Sequence, residues 1–236
     1  MREVMERKVL SENDRMAALL RRRFETENIR CVNLISSPGS GKTMLLEKTL
    51  AALPKDSPVA VLTGDIQTDN DAKRLARYGF PVRQIVTGGT CHLDARMIDR
   101  HLNEIEFRGP GILFIENVGN LVCPSSYDLG EAAKIVLLSV TEGEDKPLKY
   151  PGIFLRSSLM LLTKTDLLPY VEFDPNLALE NARKIHPEID FIALSARTGE
   201  GFSDWLDWLN AMREKITPQA AAAADWQIPW AYGVVL

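Results

Sequence analysis

Cysteine is scarce in this 236-residue chain: there are three, an odd number, which excludes a disulfide framework and points to a reducing compartment. Long apolar runs are missing as well. No stretch approaches the roughly 18 residues that cross a bilayer, and the opening MREVMERKVL has no apolar signal-peptide core, so no membrane association or export is expected. Basic charge is not in excess. The 28 Lys and Arg stand against 32 Asp and Glu, a formal net charge of −4, which argues against a dedicated nucleic-acid partner. There is no internal repeat. What remains, 45% hydrophobic and 25% charged residues, is ordinary globular composition in a chain long enough to bury a full core. The expectation is a cytoplasmic α/β protein.

Residues 12–27 have helical periodicity, with Ser11 as N-cap and Met16, Leu19, Leu20 and Phe24 as an apolar stripe. The Arg21-Arg22-Arg23 run on this helix is read as a solvated face. From residue 31 onward short apolar runs alternate with helical stretches. The runs are 31–35, 58–62, 82–86, 111–115, 134–140, 158–162 and 190–194; the helical stretches are 42–53, 68–78, 92–106, 174–185 and 202–214. Most of the runs are continuous rather than alternating, as strands covered on both faces must be. The pattern predicts an α/β fold, a mainly parallel sheet of about seven strands flanked by helices. Asp174-Pro175 is a helix start, an N-cap with proline behind it. After Thr217 the chain changes to an alanine run and two tryptophans, so three parts are expected: a helical segment 1–30, a domain 31–216 and a tail 217–236.

The first strand runs into Ser36-Ser37-Pro38-Gly39-Ser40-Gly41-Lys42-Thr43 and then a helix, the context of a phosphate-binding loop. Small residues let successive backbone N–H groups converge on a phosphate, and the helix N-terminus adds a favourable dipole. Gly39, Ser40, Gly41, Lys42, Thr43 and Met44 are the nucleotide-binding candidates here, Lys42 reaching the β- and γ-phosphates and Thr43 a magnesium ion. Ser36 stands where the usual pattern has glycine. Strand 111–115 ends in Glu116, followed three residues on by Gly119, in the manner of the Asp-x-x-Gly of nucleotide hydrolases. Glu116 and Asp65, both at strand ends, are candidates for magnesium and catalysis with Thr43 and Lys42, and Gly119 for the γ-phosphate. Asp65 and Asp69 also suit an Asx-turn or helix cap.

Strand 158–162 leads into Thr163-Lys164-Thr165-Asp166, an element suited to guanine. A carboxylate accepts from N1–H and from the exocyclic amine of guanine, whereas adenine would leave that charge without donors. Ser195-Ala196-Arg197, after the next strand, suits a loop whose backbone reads O6. GTP with Mg²⁺ is the nucleotide expected.

Gly88-Gly89-Thr90-Cys91-His92 is read as opening a helix capped by Thr90, which would favour the Cys91 thiolate. Cys123 follows Gly119 by four residues, while Cys31 is read as a small buried apolar residue. Cys91, His92 and Cys123 by themselves are a weak metal signal, short of a closed four-ligand site unless a two-fold dimer supplies the rest. Their softness suits Zn²⁺ or Ni²⁺.

Together SPGSGKT (37–43), GDIQTDNDAKR (64–74), GGTCHLDA (88–95), ENVGNLVCP (116–124), EGEDKPLKYP (142–151), TKTDLLP (163–169) and SARTGEGF (195–202) resemble the HypB family, hydrogenase nickel-incorporation GTPases. The resemblance spans about residues 31–202. It implies a P-loop GTPase domain of SIMIBI type that hydrolyses GTP to GDP and phosphate, dimerises with GTP, and delivers nickel in nickel–iron hydrogenase maturation. It implies other nickel-delivery proteins and the hydrogenase large-subunit precursor as partners. It also implies Cys91, His92 and Cys123 as a Ni/Zn site near the dimer interface. The cysteine cluster or histidine-rich stretch that some relatives carry at the N-terminus is missing from these residues, so nickel storage by such a segment is not expected. Asn120 stands where Asp-x-x-Gly-Gln hydrolases carry glutamine, so slow unassisted turnover is expected. Alternatives are a related chaperone for urease or a cobalamin enzyme, a P-loop small-molecule kinase, and a metal-binding module with vestigial nucleotide loops.

Overall fold

The computed structural model describes residues 2–65 and 70–214, with side chains from residue 8 to residue 212. The strands are β1 (Ile29–Ser36), β2 (Val59–Asp65), β3 (Val82–Val86), β4 (Gly111–Glu116), β5 (Ala133–Ser139), β6 (Leu159–Thr163) and β7 (Asp190–Leu194). They form one sheet in the order β3-β2-β4-β1-β5-β6-β7, every pairing parallel. All seven apolar runs are therefore strands. Every residue of β4, β5 and β6 is buried, while the edge strands β3 and β7 are mostly half-buried or exposed. That contrast explains why the central runs are continuous and the outer ones are interrupted by Arg83, Gln84 and Asp190.

The helices are α1 (Arg2–Thr26), α2 (Lys42–Ala52), α3 (Asn70–Ala76), α4 (Ala95–Leu102), α5 (Lys146–Lys149), α6 (Pro151–Arg156), α7 (Pro175–Ile185) and α8 (Phe202–Glu214). On one face Val32, Leu34, Val61 and Phe114 of the sheet pack against Leu45, Leu46 and Leu50 of α2, Leu75 of α3, and Trp205, Leu206 and Leu209 of α8. The fully buried Trp205 satisfies its indole N–H on Thr49 Oγ1 at 3.0 Å, so burying that large ring leaves no polar group without a partner. The other face is covered in two halves. Ala17, Leu20 and Phe24 of α1 and Ile98 and Leu102 of α4 meet Cys31, Leu62 and Leu113, while α6 and α7 cover Ile35, Val136 and Leu138.

Four local expectations are corrected. The first helix begins well before Ser11, which is an interior helical residue and not a cap. Its buried stripe is Ala17, Leu20 and Phe24, and Leu19 faces solvent at 58% exposure. Arg21 and Arg23 do not simply solvate the helix: Arg21 bonds both carboxylate oxygens of Asp128 at 2.7 Å, and Arg23 reaches Glu27 at 2.9 Å. The fourth correction concerns the stretch 92–106. Its helix begins only at Ala95, capped by Asp94, whose carboxylate accepts from Met97 N at 2.8 Å; Thr90 is no helix cap. The Asp174 cap, by contrast, accepts from Asn176 N and Leu177 N. Asp69 and residues 217–236 lie outside the described residues. Among the described residues no helix is long and apolar enough to cross a membrane.

Candidate functional site

At the carboxyl ends of β1, β2, β4 and β6 a cleft of about 650 Å³ opens, where strand order reverses direction around β1 and β4. It is lined from several stretches of chain that are far apart in sequence. Gly39, Ser40, Gly41, Lys42, Thr43 and Met44 form one wall, with Asp65, Glu116 and Gly119 beside them. Thr163, Lys164, Asp166, Ala196 and Arg197 form the far end. Of the nucleotide candidates, Ser195 alone does not line it. Ser195 is fully buried behind the wall, its hydroxyl donating to Asp166 Oδ1 at 2.6 Å and accepting from Thr198 N at 3.1 Å.

The phosphate loop turns on two glycines with positive φ, Gly39 at 75° and Gly41 at 96°, a region that a side chain would strain. Gly41 then caps α2. Lys42 is buried, and its ammonium rests 2.9 Å from Ser36 Oγ, so the residue at the first loop position is a hydrogen-bond partner of the loop lysine. Burial lowers the Lys42 pKa from the usual lysine value, and the carboxylates of Glu116, Asp71 and Glu142 oppose that shift.

Thr43 Oγ1 donates to Glu116 Oε1 at 2.6 Å. The other carboxylate oxygen, Glu116 Oε2, is buried with no hydrogen-bond partner among the described residues. Burial pushes the Glu116 carboxyl up to about 7, against the pull of Lys42 and the Thr43 hydrogen bond. A buried carboxylate oxygen without a donor, beside a hydroxyl and near Asp65, is a hard-oxygen set of the kind that suits Mg²⁺. The residues present fit that ion.

Sequence reasoning missed three contributors. Glu142 Oε1 lies 2.8 Å from Ser40 Oγ and accepts from Ser139 N at 3.1 Å, tying the loop after β5 to the phosphate loop. Asp71 and Arg74 of α3 line the cleft, Arg74 being held by both carboxylate oxygens of Glu47. Their positions fall inside quoted motifs, but nothing in spacing alone separates them from surface charges. Lys146 and Lys149 are not among the lining residues. Lys146 lies 3.5 Å from Glu142 Oε2 and over the Tyr150 ring, and Lys149 pairs with Asp145 at 2.6 Å.

The second cluster is softer. Cys91, His92 and Cys123 each offer one donor atom, and these atoms lie within 4.8 Å of one another; all three residues are half-buried. Cys91 and His92 sit in a turn ahead of α4 and not on its first turn, so the helix-terminus argument for the Cys91 thiolate does not hold. The His92 ring stacks on Tyr127 with centroids 3.8 Å apart, and burial lowers its pKa, which favours the neutral, ligating imidazole. The Cys123 thiol is raised, first by its hydrogen bond with Cys91. Cys31 is buried in the core and takes no part. Two thiols and an imidazole at this separation can hold a soft divalent ion, leaving positions for further ligands.

Fold and cleft define a P-loop nucleotide-binding protein of the SIMIBI arrangement. The family model of the CobW/HypB/UreG nucleotide-binding domain matches residues 30–193. Hydrogenase maturation factor HypB of Azotobacter chroococcum mcd 1 is 53% identical over 209 residues, covering 89% of this chain and 68% of that protein. Hydrogenase/urease maturation factor HypB of Helicobacter pylori strain J99 is 42% identical, covering 86% of this chain and 84% of that one. The crystal structure of Helicobacter pylori HypB in complex with nickel superposes with a TM-score of 0.79 at 41% identity, over 87% of this chain and 97% of that one. The chain belongs to the CobW/HypB/UreG family and, within it, to the HypB hydrogenase maturation factors.

Proposed function

We propose that this protein is a GTP-hydrolysing metallochaperone that couples hydrolysis and dimerisation to nickel delivery in nickel–iron hydrogenase maturation. It acts in the cytoplasm, with other nickel-delivery proteins and the hydrogenase large-subunit precursor as partners. The observation that carries the reading is the short link between the two sites. Gly119 packs so closely on the phosphate loop that a Cβ there would lie 3.0 Å from Pro38 Cα, and Cys123 follows only four residues later.

In this reading the backbone of residues 39–44 cradles the phosphates, and the Lys42 ammonium transfers from Ser36 to the β- and γ-phosphate oxygens. Magnesium, held by Thr43, Asp65 and Glu116, neutralises phosphate charge when bound. Asp65 and Glu116 hold the attacking water's surroundings, and no covalent intermediate is required of the protein. Asp166 accepts from guanine N1–H and the exocyclic amine, fixed in orientation by Ser195. The Lys164 stem covers the base, Thr163 ties its loop to the phosphate loop through Ser40 O, and the backbone of Ala196 and Arg197 serves O6. Nickel or zinc is cargo on Cys91, His92 and Cys123, and a two-fold dimer brings two such half-sites together.

Loss of the γ-phosphate releases Gly119, and Cys123 shifts with it. Metal occupancy must then alter nucleotide affinity in return. Titrating Ni²⁺ and Zn²⁺ into the protein with GDP, then with a non-hydrolysable GTP analogue, while recording oligomeric state, tests this. Different affinities and a dimer with the analogue are expected; equal affinities and an unchanged monomer would remove the reading. The urease named for the Helicobacter relative favours a second destination for the nickel. Assaying each nickel enzyme separately in cells lacking this protein distinguishes the two.

A further inference from the structure

Asn117 follows Glu116 at the end of β4 and is almost wholly buried at 1% exposure. A buried carboxamide must place two donors and an acceptor, and this one uses them on several chain segments. Its Oδ1 accepts from Val118 N at 3.0 Å and from Leu93 N at 3.2 Å. Its Nδ2 donates to Asn33 Oδ1 at 3.2 Å. The orientation is fixed from behind, because Asn33 Nδ2 donates to the Glu131 carboxylate at 3.2 Å and so must turn its oxygen toward Asn117. Val118 immediately precedes Gly119, and Leu93 immediately follows His92. One oxygen therefore holds the backbone of both loops.

Leu93 is also pinned from the other side. Its side chain is fully buried against Gly64, where a Cβ would lie 2.8 Å from three of its carbons. Gly64 is the residue before Asp65. The turn that bears Cys91 and His92 thus rests on Gly64 and Asn117, which themselves line the nucleotide cleft.

We propose that Asn117 is the positioning residue that carries the state of the nucleotide cleft to the His92 side of the metal site, an inference that rests on the coupling read above. Chain continuity from Gly119 moves Cys123, and the Asn117 carboxamide moves Leu93 and with it His92 and Cys91. Both halves of the ligand set then respond together, since a displaced Asn117 either draws the Leu93 amide along or leaves that buried N–H without its acceptor.

The test uses the full chain, Asn117→Ala, and Ni²⁺ and Zn²⁺ titrated separately with GDP or a non-hydrolysable GTP analogue bound. In the unaltered protein the two nucleotide states should differ in metal affinity by at least about fivefold, and in Asn117→Ala by no more than about twofold, each measured at a nucleotide concentration that saturates that protein. A variant that keeps the full ratio overturns the role of Asn117 and leaves the coupling intact; equal affinities in the unaltered protein overturn both. Should the variant not fold, hydrogen exchange on the unaltered protein decides. Exchange across residues 88–94 should change between the nucleotide states without metal, and identical exchange in both states overturns the proposal.

Discussion

The Thr163 hydroxyl donates to the backbone carbonyl of Ser40 at 2.7 Å in a buried hydrogen bond. This one bond fixes the end of β6, directly ahead of Lys164 and Asp166, to the middle of the glycine-rich loop before α2. Two loops distant in sequence are thereby held as one surface lining a single cleft.

Lys42→Ala should abolish GTP turnover, by about 100-fold or more, since a buried cation aimed at transferring phosphate oxygens is a dominant electrostatic contributor. The fold should survive, because the Lys42 ammonium bonds Ser36 Oγ and not the apolar core. Phosphate release assays with circular dichroism check both; unchanged turnover would refute the phosphate-loop assignment.

Asp166→Asn should weaken GTP binding by roughly two orders of magnitude and move preference toward xanthosine triphosphate, because an amide can donate to the extra carbonyl. Ser195 can still donate to the remaining oxygen, so the side chain keeps its orientation. Competition between the two nucleotides measures the switch, and retained GTP preference argues against guanine recognition here.

Cys123→Ala should lower Zn²⁺ or Ni²⁺ affinity by about tenfold or more, since removing a direct ligand costs at least what removing an outer-shell partner does. Nucleotide binding should persist. Equal metal affinity by titration would eliminate Cys123 as a ligand.

Glu116 gives a pH-dependent prediction. Its carboxyl rises from an ordinary 4.5 to about 7, so the folded, nucleotide-free protein prefers the protonated form. That contribution is fully present below pH 4.5 and is lost as pH rises through about 7. Glu116→Gln should therefore be more stable than the unaltered protein at pH 8, by roughly 1–3 kcal/mol, with the difference vanishing near pH 4. Denaturant midpoints without nucleotide or divalent ions measure it. The same variant should lose Mg²⁺-dependent turnover, and a pH-independent stability difference would contradict the burial argument.

Much of the fold was legible because its physics is local in sequence. A central strand of a covered parallel sheet must be apolar at every position, so 111–115, 134–140 and 158–162 stand out without reference to anything distant. Gly39 and Gly41 were legible for a similar reason: the turn demands a backbone that only glycine adopts freely, directly before the Lys-Thr of a helix start. The edges of this legibility are physical too. The helix through 92–106 begins later than its periodicity suggests because Asp94, three residues before Met97, caps better than Thr90, whose hydroxyl is instead within reach of Thr87 O at 3.2 Å. Leu19 was misplaced because a helix of apolar Met16, Ala17, Leu19 and Leu20 offers more than one stripe, and contact with β1 and α4 chooses among them.

The sequence by itself determined the strand–loop–helix order, the glycine-rich turn before Lys42 and the Lys-x-Asp element at residue 166, since each depends on residues within a few positions of one another. Tertiary structure decided that Glu142 reaches Ser40, that Ser195 supports Asp166 from behind, and that Asn117 joins Val118 to Leu93. Those contacts span up to 102 residues of chain. Only the closing of the sheet brings such partners within hydrogen-bond reach, and no local pattern encodes which buried polar group will find which.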